Sequence, residues 1–120
     1  MVSATTSPEL SFQAVADPAR RAVLDALRAG ERSVNELLAR VCEAVKPMSQ
    51  PALSQHLRVL REARLVEVRK DGRRRLYGLR AEPLREVADW VATYDAFWEE
   101  RLDALGGHLG RVAKGGDRGA

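Results

Sequence analysis

Only one cysteine, Cys42, occurs in the 120 residues, which excludes an internal disulfide framework and an all-cysteine zinc site within one chain. No apolar run approaches the ~18 residues of a membrane span, and the opening MVSATTSPEL has neither the basic nor the apolar region of a secretory signal. The cytoplasm is therefore the expected location. A phosphate-binding glycine loop is missing, as is a Cys and His pair in a plausible arrangement. Ser54 and His56, two apart on one expected helix, point in different directions, so catalysis is not expected. There is no internal repeat and no sign of a second domain. Acid is scarce in the middle of the chain: Lys46 to Arg80 holds ten Lys/Arg against three Asp/Glu, a local +7, whereas Ala81 to Leu105 holds two against seven, a local −5. The basic half suits a polyanion; the acidic half does not.

With 45% apolar residues the chain can bury one compact core. The most informative stretch is Ser49 to Ala63, SQPALSQHLRVLREA. As a helix it places Leu53, Leu57 and Leu60 on one side, flanked by Ala52, Val59 and Ala63, and Gln50, Pro51, Ser54, Gln55, Arg58 and Arg61 on the other. Amide, hydroxyl and guanidinium groups with almost no acid can meet base edges and phosphates in a major groove. Ser49 is placed to cap the helix and Pro51 falls in its first turn.

Residues 1–6 carry no pattern and read as a flexible arm. A short helix is expected from Ser7-Pro8, with Leu10, Phe12 and Val15 as apolar positions. A second follows Asp17-Pro18, with Ala22, Val23, Leu24 and Leu27 buried, Arg20 and Arg21 outward, and Gly30 as the closing C′ glycine. Ser33 and Glu36 fit a capping box for a third helix with Leu37, Leu38, Val41 and Val45 inward, stopped by Lys46-Pro47. After the Ser49 helix, LVEVRK and RRRLYGL flank Asp71-Gly72 and predict a two-stranded hairpin. Val66 pairs in facing with Val68, and Tyr77 with Leu79, while Glu67, Arg69 and the arginines Arg73, Arg74 and Arg75 are left outward. From Glu82 to about Leu105 one long amphipathic helix is expected, carrying Leu84, Val87, Val91, Tyr94, Trp98, Leu102 and Leu105. With Trp90 and Phe97 it holds more large apolar side chains than a small domain needs, which suggests a partner surface that Leu10 and Phe12 could join. Residues 7–105 thus form the expected domain, and the glycine-rich 106–120 an expected disordered tail.

Helix, helix, capped helix, helix with polar outer face, basic hairpin, helix is the order of a winged helix-turn-helix domain, mainly α with a β-hairpin wing. The runs FQAVADPARRAVLDALRAGERSVNELL, SQPALSQHLRVLREARLVEVRKDGRRRLYGL and FWEERLDALGGHL resemble the bacterial ArsR/SmtB-type transcriptional repressors over roughly residues 9–109. The resemblance implies a homodimer with an interface built from the N- and C-terminal helices, binding an inverted repeat in double-stranded DNA. Two departures stand out: ARVCEAVKPM is longer than the family's usual segment before the recognition helix, and Arg64 stands where relatives commonly have Gly. An Arg held at positive φ there costs ~1 kcal/mol.

On this basis Ser49, Gln50, Pro51, Ala52, Ser54, Gln55 and Arg58 are expected at the DNA. Gln55 could pair bidentately with adenine, and Pro51 or Ala52 touch a thymine methyl. His56 is open between packing and a phosphate contact. Five cations within seven residues, Arg69, Lys70, Arg73, Arg74 and Arg75, exceed what protecting a sheet edge requires and suit phosphates or the minor groove. Many relatives sense metals, but here the third helix offers only Cys42 beside Glu43, and Asp89, Asp95, Asp103 and His108 have no matching spacing. No metal or other cofactor is expected, and control by a small organic effector, or by none, is. Cys42 reads as a small semi-buried residue, since Glu43 opposes thiolate formation. The rival function is a protein-interaction module that uses the basic wing and the Trp-containing helix.

Overall fold

The computed structural model describes residues 8–105; the expected arm, the Ser7 cap and the expected tail lie outside the described residues. The elements run α1 (Pro8–Ala14), α2 (Pro18–Leu27), β1 (Arg32–Ser33), α3 (Val34–Ala44), α4 (Gln50–Glu62), β2 (Val66–Asp71), β3 (Arg74–Leu79), α5 (Leu84–Ala92) and α6 (Asp95–Leu105). They divide into two compact units, one running to Val87 and one from Ala88.

The core of the first unit is the apolar stripe of each helix meeting the others. Val23, Leu24 and Leu27 of α2, Leu37 and Val41 of α3, and Leu53, Leu57 and Leu60 of α4 are buried together with Leu65, Val66 and Tyr77. Truncating one of these leucines to alanine costs ~2–5 kcal/mol, the lost transfer energy plus the cavity left behind. Each helix start is set locally. Asp17 accepts from the Ala19 amide at 2.7 Å and opens α2 ahead of Pro18. Ser33 and Glu36 form the capping box of α3, with Glu36 N–H donating to Ser33 Oγ at 3.3 Å and Ser33 N–H to Glu36 Oε1 at 2.8 Å. Ser49 accepts from the Ala52 amide at 3.2 Å and opens α4.

Five features differ from the expectations. Gly30, at φ +143°, stands two places past the α2 cap, Arg28, rather than next to it. Val45 is not on the buried stripe of α3. It is the C-cap, exposed, because the helix ends at Ala44, and the chain up to Ser49 folds back so that Met48 N–H donates to Cys42 Sγ at 3.4 Å. The longer segment before α4 is therefore absorbed as a looped turn laid against Cys42.

The sheet has three strands, not two, in the order β1-β3-β2, all antiparallel, with Arg32 opposite Tyr77 and Ser33 opposite Leu76. Two residues are too few to show any alternation in sequence. In the hairpin, Asp71 still pairs with Arg74, so the two-residue loop is Gly72-Arg73 rather than Asp71-Gly72. Only Gly72 takes positive φ, +68°. The long C-terminal helix is broken: Thr93 N–H and Oγ1 both donate to the Trp90 carbonyl, at 3.1 and 2.7 Å, and Tyr94 N–H donates to the Val91 carbonyl at 2.9 Å. These short-range bonds tighten the last turn of α5, a local competition that hydroxyl side chains favour, and Asp95 starts α6, where an acid suits the helix N-terminus.

Arg64 does adopt positive φ, +63°. Leu65 N–H donates to the Leu60 carbonyl and Arg64 N–H to that of Arg61, both at 2.9 Å, the paired bonds of a Schellman termination. Leu60 and Leu65, both fully buried, supply its apolar contact. Those bonds and that contact together outweigh the ~1 kcal/mol that a left-handed non-glycine costs.

In the second unit no side chain of α6 is buried. Trp90, Tyr94, Phe97 and Trp98 form a run of edge-to-face contacts with ring centroids 5.4, 6.5 and 5.5 Å apart, and the Arg101 guanidinium lies 4.7 Å from the Phe97 ring centre. Both tryptophans remain 53% exposed.

Candidate nucleic-acid interface

Helix α4 separates its two faces as its spacing requires. Leu53, Leu57 and Leu60 are buried, while Gln50, Pro51, Ser54, Gln55 and Arg58 are exposed and Ala52 is half-buried at the margin. The side chains of Gln50, Ser54 and Gln55 have no hydrogen-bond partner among the described residues, which leaves two amides and a hydroxyl able to donate and accept outward. Arg58 leans along the helix to Glu62, Nε to Oε2 3.4 Å, with both side chains more than half exposed. Such an exposed pair is worth well under ~1 kcal/mol and exchanges readily for another anion.

His56 meets an arginine from another helix. Arg20 Nη1 lies 3.3 Å from His56 Nδ1, and since a guanidinium can only donate, Nδ1 accepts and the ring carries its proton on Nε2. The same Arg20 donates through Nε to the Ala14 carbonyl at 2.8 Å and through Nη2 to that of Gln13 at 2.9 Å. Arg21 donates to the Val15 carbonyl at 2.8 Å. Neither is simply outward: Arg20 ties the end of α1 and the start of α2 to the recognition helix. Burial raises the Asp17 pKa, but the hydrogen bonds from the Ala19 and Arg20 amides and the nearby charge of Arg20 outweigh it and leave the carboxyl below its ordinary value.

The wing sorts its cations. Arg69 is held by Glu31 in a bidentate pair, Nε to Oε2 2.9 Å and Nη2 to Oε1 2.8 Å. That side-chain bond lowers the Glu31 pKa and raises that of Arg69. Glu31, just before β1, is a partner that no pattern in the sequence signals. Glu31 lies over Gly78, where a Cβ would meet its Cγ at 3.5 Å, an ordinary van der Waals contact. Arg74 reaches Asp71 at 3.5 Å. Lys70, Arg73 and Arg75 have no carboxylate partner among the described residues, and Lys70 stands directly opposite Arg75 across the two strands. Like charges so placed oppose pairing, so the wing tip is stabilised by any polyanion brought against it.

A helix-turn-helix whose second helix turns a polar, nearly acid-free face to solvent, followed by a hairpin with unpaired cations, defines a winged helix-turn-helix nucleic-acid-binding protein. Residues 15–69 match the family described as a helix-turn-helix domain. The chain is 40% identical over 101 residues to the HTH-type transcriptional regulator Rv2034 of Mycobacterium tuberculosis, covering 84% of this chain and 87% of that one. It is 26% identical over 83 residues to the transcriptional repressor SdpR of Bacillus subtilis, covering 69% and 87%. The crystal structure of an ArsR family transcriptional regulator, RHA00566, superposes with TM-score 0.61 at 34% identity, covering 76% of this chain and 94% of that one. The chain belongs to the ArsR/SmtB family of winged helix-turn-helix regulators, a family of DNA-binding transcriptional regulators rather than enzymes.

Among the described residues no three His, Cys, Asp or Glu side chains gather where a metal could be held, and no helix is long and apolar enough to cross a membrane.

Proposed function

We propose that this regulator acts as a homodimeric repressor in the cytoplasm, binding an inverted-repeat operator in double-stranded DNA and excluding polymerase. The exposed face of α4 carries the proposal: Gln50, Ser54 and Gln55 have no hydrogen-bond partner among the described residues and sit on a helix anchored by fully buried Leu53 and Leu60. Gln50, Ser54 and Gln55 read base edges, with Pro51 and Ala52 against thymine methyls. Ser49, Arg58 and the Nε2–H of His56 meet phosphates. At the wing Lys70, Arg73 and Arg75 take the backbone or minor groove; Arg74 and Arg69 join them by exchanging Asp71 and Glu31 for phosphate. The dimer surface comprises Leu10 and Phe12 of α1 with Leu84, Val87, Val91, Tyr94, Trp98, Leu102 and Leu105. Its support is the exposure of large apolar groups: Trp98 is 53% and Leu105 72% open to solvent. Release from DNA is governed by a small organic effector or by the amount of repressor alone.

The test is selection of duplexes from a random library by the full-length protein, with sizing of the complex. Enrichment of an inverted repeat with half-site centres about 10–11 base pairs apart, bound by two copies of the 13.3 kDa chain, is the expected result. A sequence-blind pool bound only at low salt overturns it and hands the basic wing to an acidic protein partner.

A further inference from the structure

Where φ is strongly positive the chain uses glycine at Gly30 and Gly72. Arg64 is the single non-glycine exception among the described residues. It stands there as the C′ residue of the Schellman turn that closes α4. Arg64 lines an open cavity of about 440 Å³ at the junction of the α4 C-terminus, the start of β2 and the segment after β3, together with Arg61, Val66, Glu67, Arg80, Glu82 and Pro83. Its three arginines are not equivalent. Arg80 is occupied by Glu67 at 3.2 Å and Glu82 at 3.4 Å, whereas Arg61 and Arg64 are exposed and have no carboxylate partner among the described residues.

The two free guanidinium groups therefore flank one opening with no acid of their own. The α4 C-terminus adds roughly half a negative charge, and the two carboxylates on Arg80 leave that trio at −1, so with the two free arginines the opening keeps a surplus of about half a positive charge. Position then decides. Gln50, Ser54, Arg58 and Arg61 follow one another at spacings of four, four and three, so Arg61 continues the polar strip of α4 and Arg64 lies just beyond its end. We infer that Arg61 and Arg64 clamp backbone phosphates of the DNA at the far edge of the major groove that α4 enters, a contact that rests on the regulator reading above. Phosphate contacts add affinity and hold register without reading sequence.

The test replaces Arg64 by glycine, which removes the charge and relieves the backbone at once. Full-length protein is titrated with its selected duplex and a scrambled one over ~50–200 mM salt, and its melting temperature is measured without DNA. The expected result for Arg64→Gly is a melting temperature higher by about 2–5 °C, with binding to both duplexes weaker by roughly five- to tenfold and the salt slope shallower by ~0.9. Arg61→Ala should weaken binding and flatten the slope in the same way. Arg40→Ala, an exposed arginine on α3, should do neither. If Arg64→Gly raises the melting temperature but leaves affinity and slope unchanged, the clamp is overturned while the regulator reading stands. If the unaltered protein binds neither duplex, both fall. Stabilisation by inorganic phosphate that Arg64→Gly abolishes, with DNA binding intact, overturns the DNA assignment in favour of a small anion.

Discussion

Replacing Arg20 by alanine removes three hydrogen bonds at once, to the carbonyls of Ala14 (2.8 Å) and Gln13 (2.9 Å) and to His56 Nδ1 (3.3 Å). Hydrogen bonds from a charged donor contribute ~1.5–3 kcal/mol when buried. Here the Gln13 bond is exposed and the His56 contact long, so the first bond supplies most of a total near ~2 kcal/mol. For a chain of this size that lowers the melting temperature by about 6–12 °C. Lysine should recover less than half of the loss, because one ammonium on a flexible stem cannot hold three acceptors in the plane of a guanidinium fork. Arg21→Ala, which loses a single exposed bond to Val15, is the comparison and should cost under ~1 kcal/mol. Urea unfolding gives the free energies, and amide exchange in α1 should quicken in the Arg20 variants alone. Full rescue by lysine, or an alanine cost below ~0.5 kcal/mol, would refute the view that Arg20 fastens α1 to the recognition helix.

Two further outcomes are expected. Lys70→Ala and Arg75→Ala should each reduce the salt slope of DNA binding by ~0.9, and each should leave the unbound protein no less stable, since the two side chains face one another with like charge; a drop in stability without a change in slope would remove the wing from the interface. Hydrogen bonding to the Ser33 amide holds the Glu36 pKa below its ordinary 4.5, so its contribution is present above that value and lost as pH falls through the lower folded value. Glu36→Gln keeps a group able to reach the Ser33 amide but does not titrate, and acid unfolding followed by circular dichroism should show a shallower loss of stability below pH ~4.5 than in the unaltered protein. Equal slopes would assign that loss to other carboxylates, Asp17 first.

Much of the first unit could be read from the residues in order. Asp17-Pro18, Ser33 with Glu36, and Ser49 with Pro51 are caps whose partners lie within three residues, so their geometry follows from local chemistry. The 3.6-residue spacing of Leu53, Leu57 and Leu60 separates the buried from the outward face of α4 before any neighbour is known. The wing was legible as a hairpin because a glycine able to take positive φ lies between two β-rich runs. Its loop was displaced by one residue because Asp71 had the option of pairing with Arg74, and ladder pairing won. The break at Thr93 was hidden for a similar reason: the apolar spacing continues across it, while the hydroxyl bond to Trp90 that closes the turn is one of several the side chain could make.

Residues no more than a few positions apart suffice to set where α2, α3 and α4 start, which face of α4 is buried, and that a basic hairpin follows it. The tertiary structure alone decided which charged groups remain available. Arg69 lies 38 positions from Glu31, and Arg20 lies 36 from His56, and nothing in the spacing of either pair marks it as a pair. Only when β1 joins β3 and α2 packs against α4 do those groups come within hydrogen-bond distance, leaving Lys70, Arg73, Arg75, Arg61 and Arg64 without a carboxylate partner among the described residues. A side chain's charge is written in the sequence; whether that charge is already answered depends on neighbours that chain folding brings from far away.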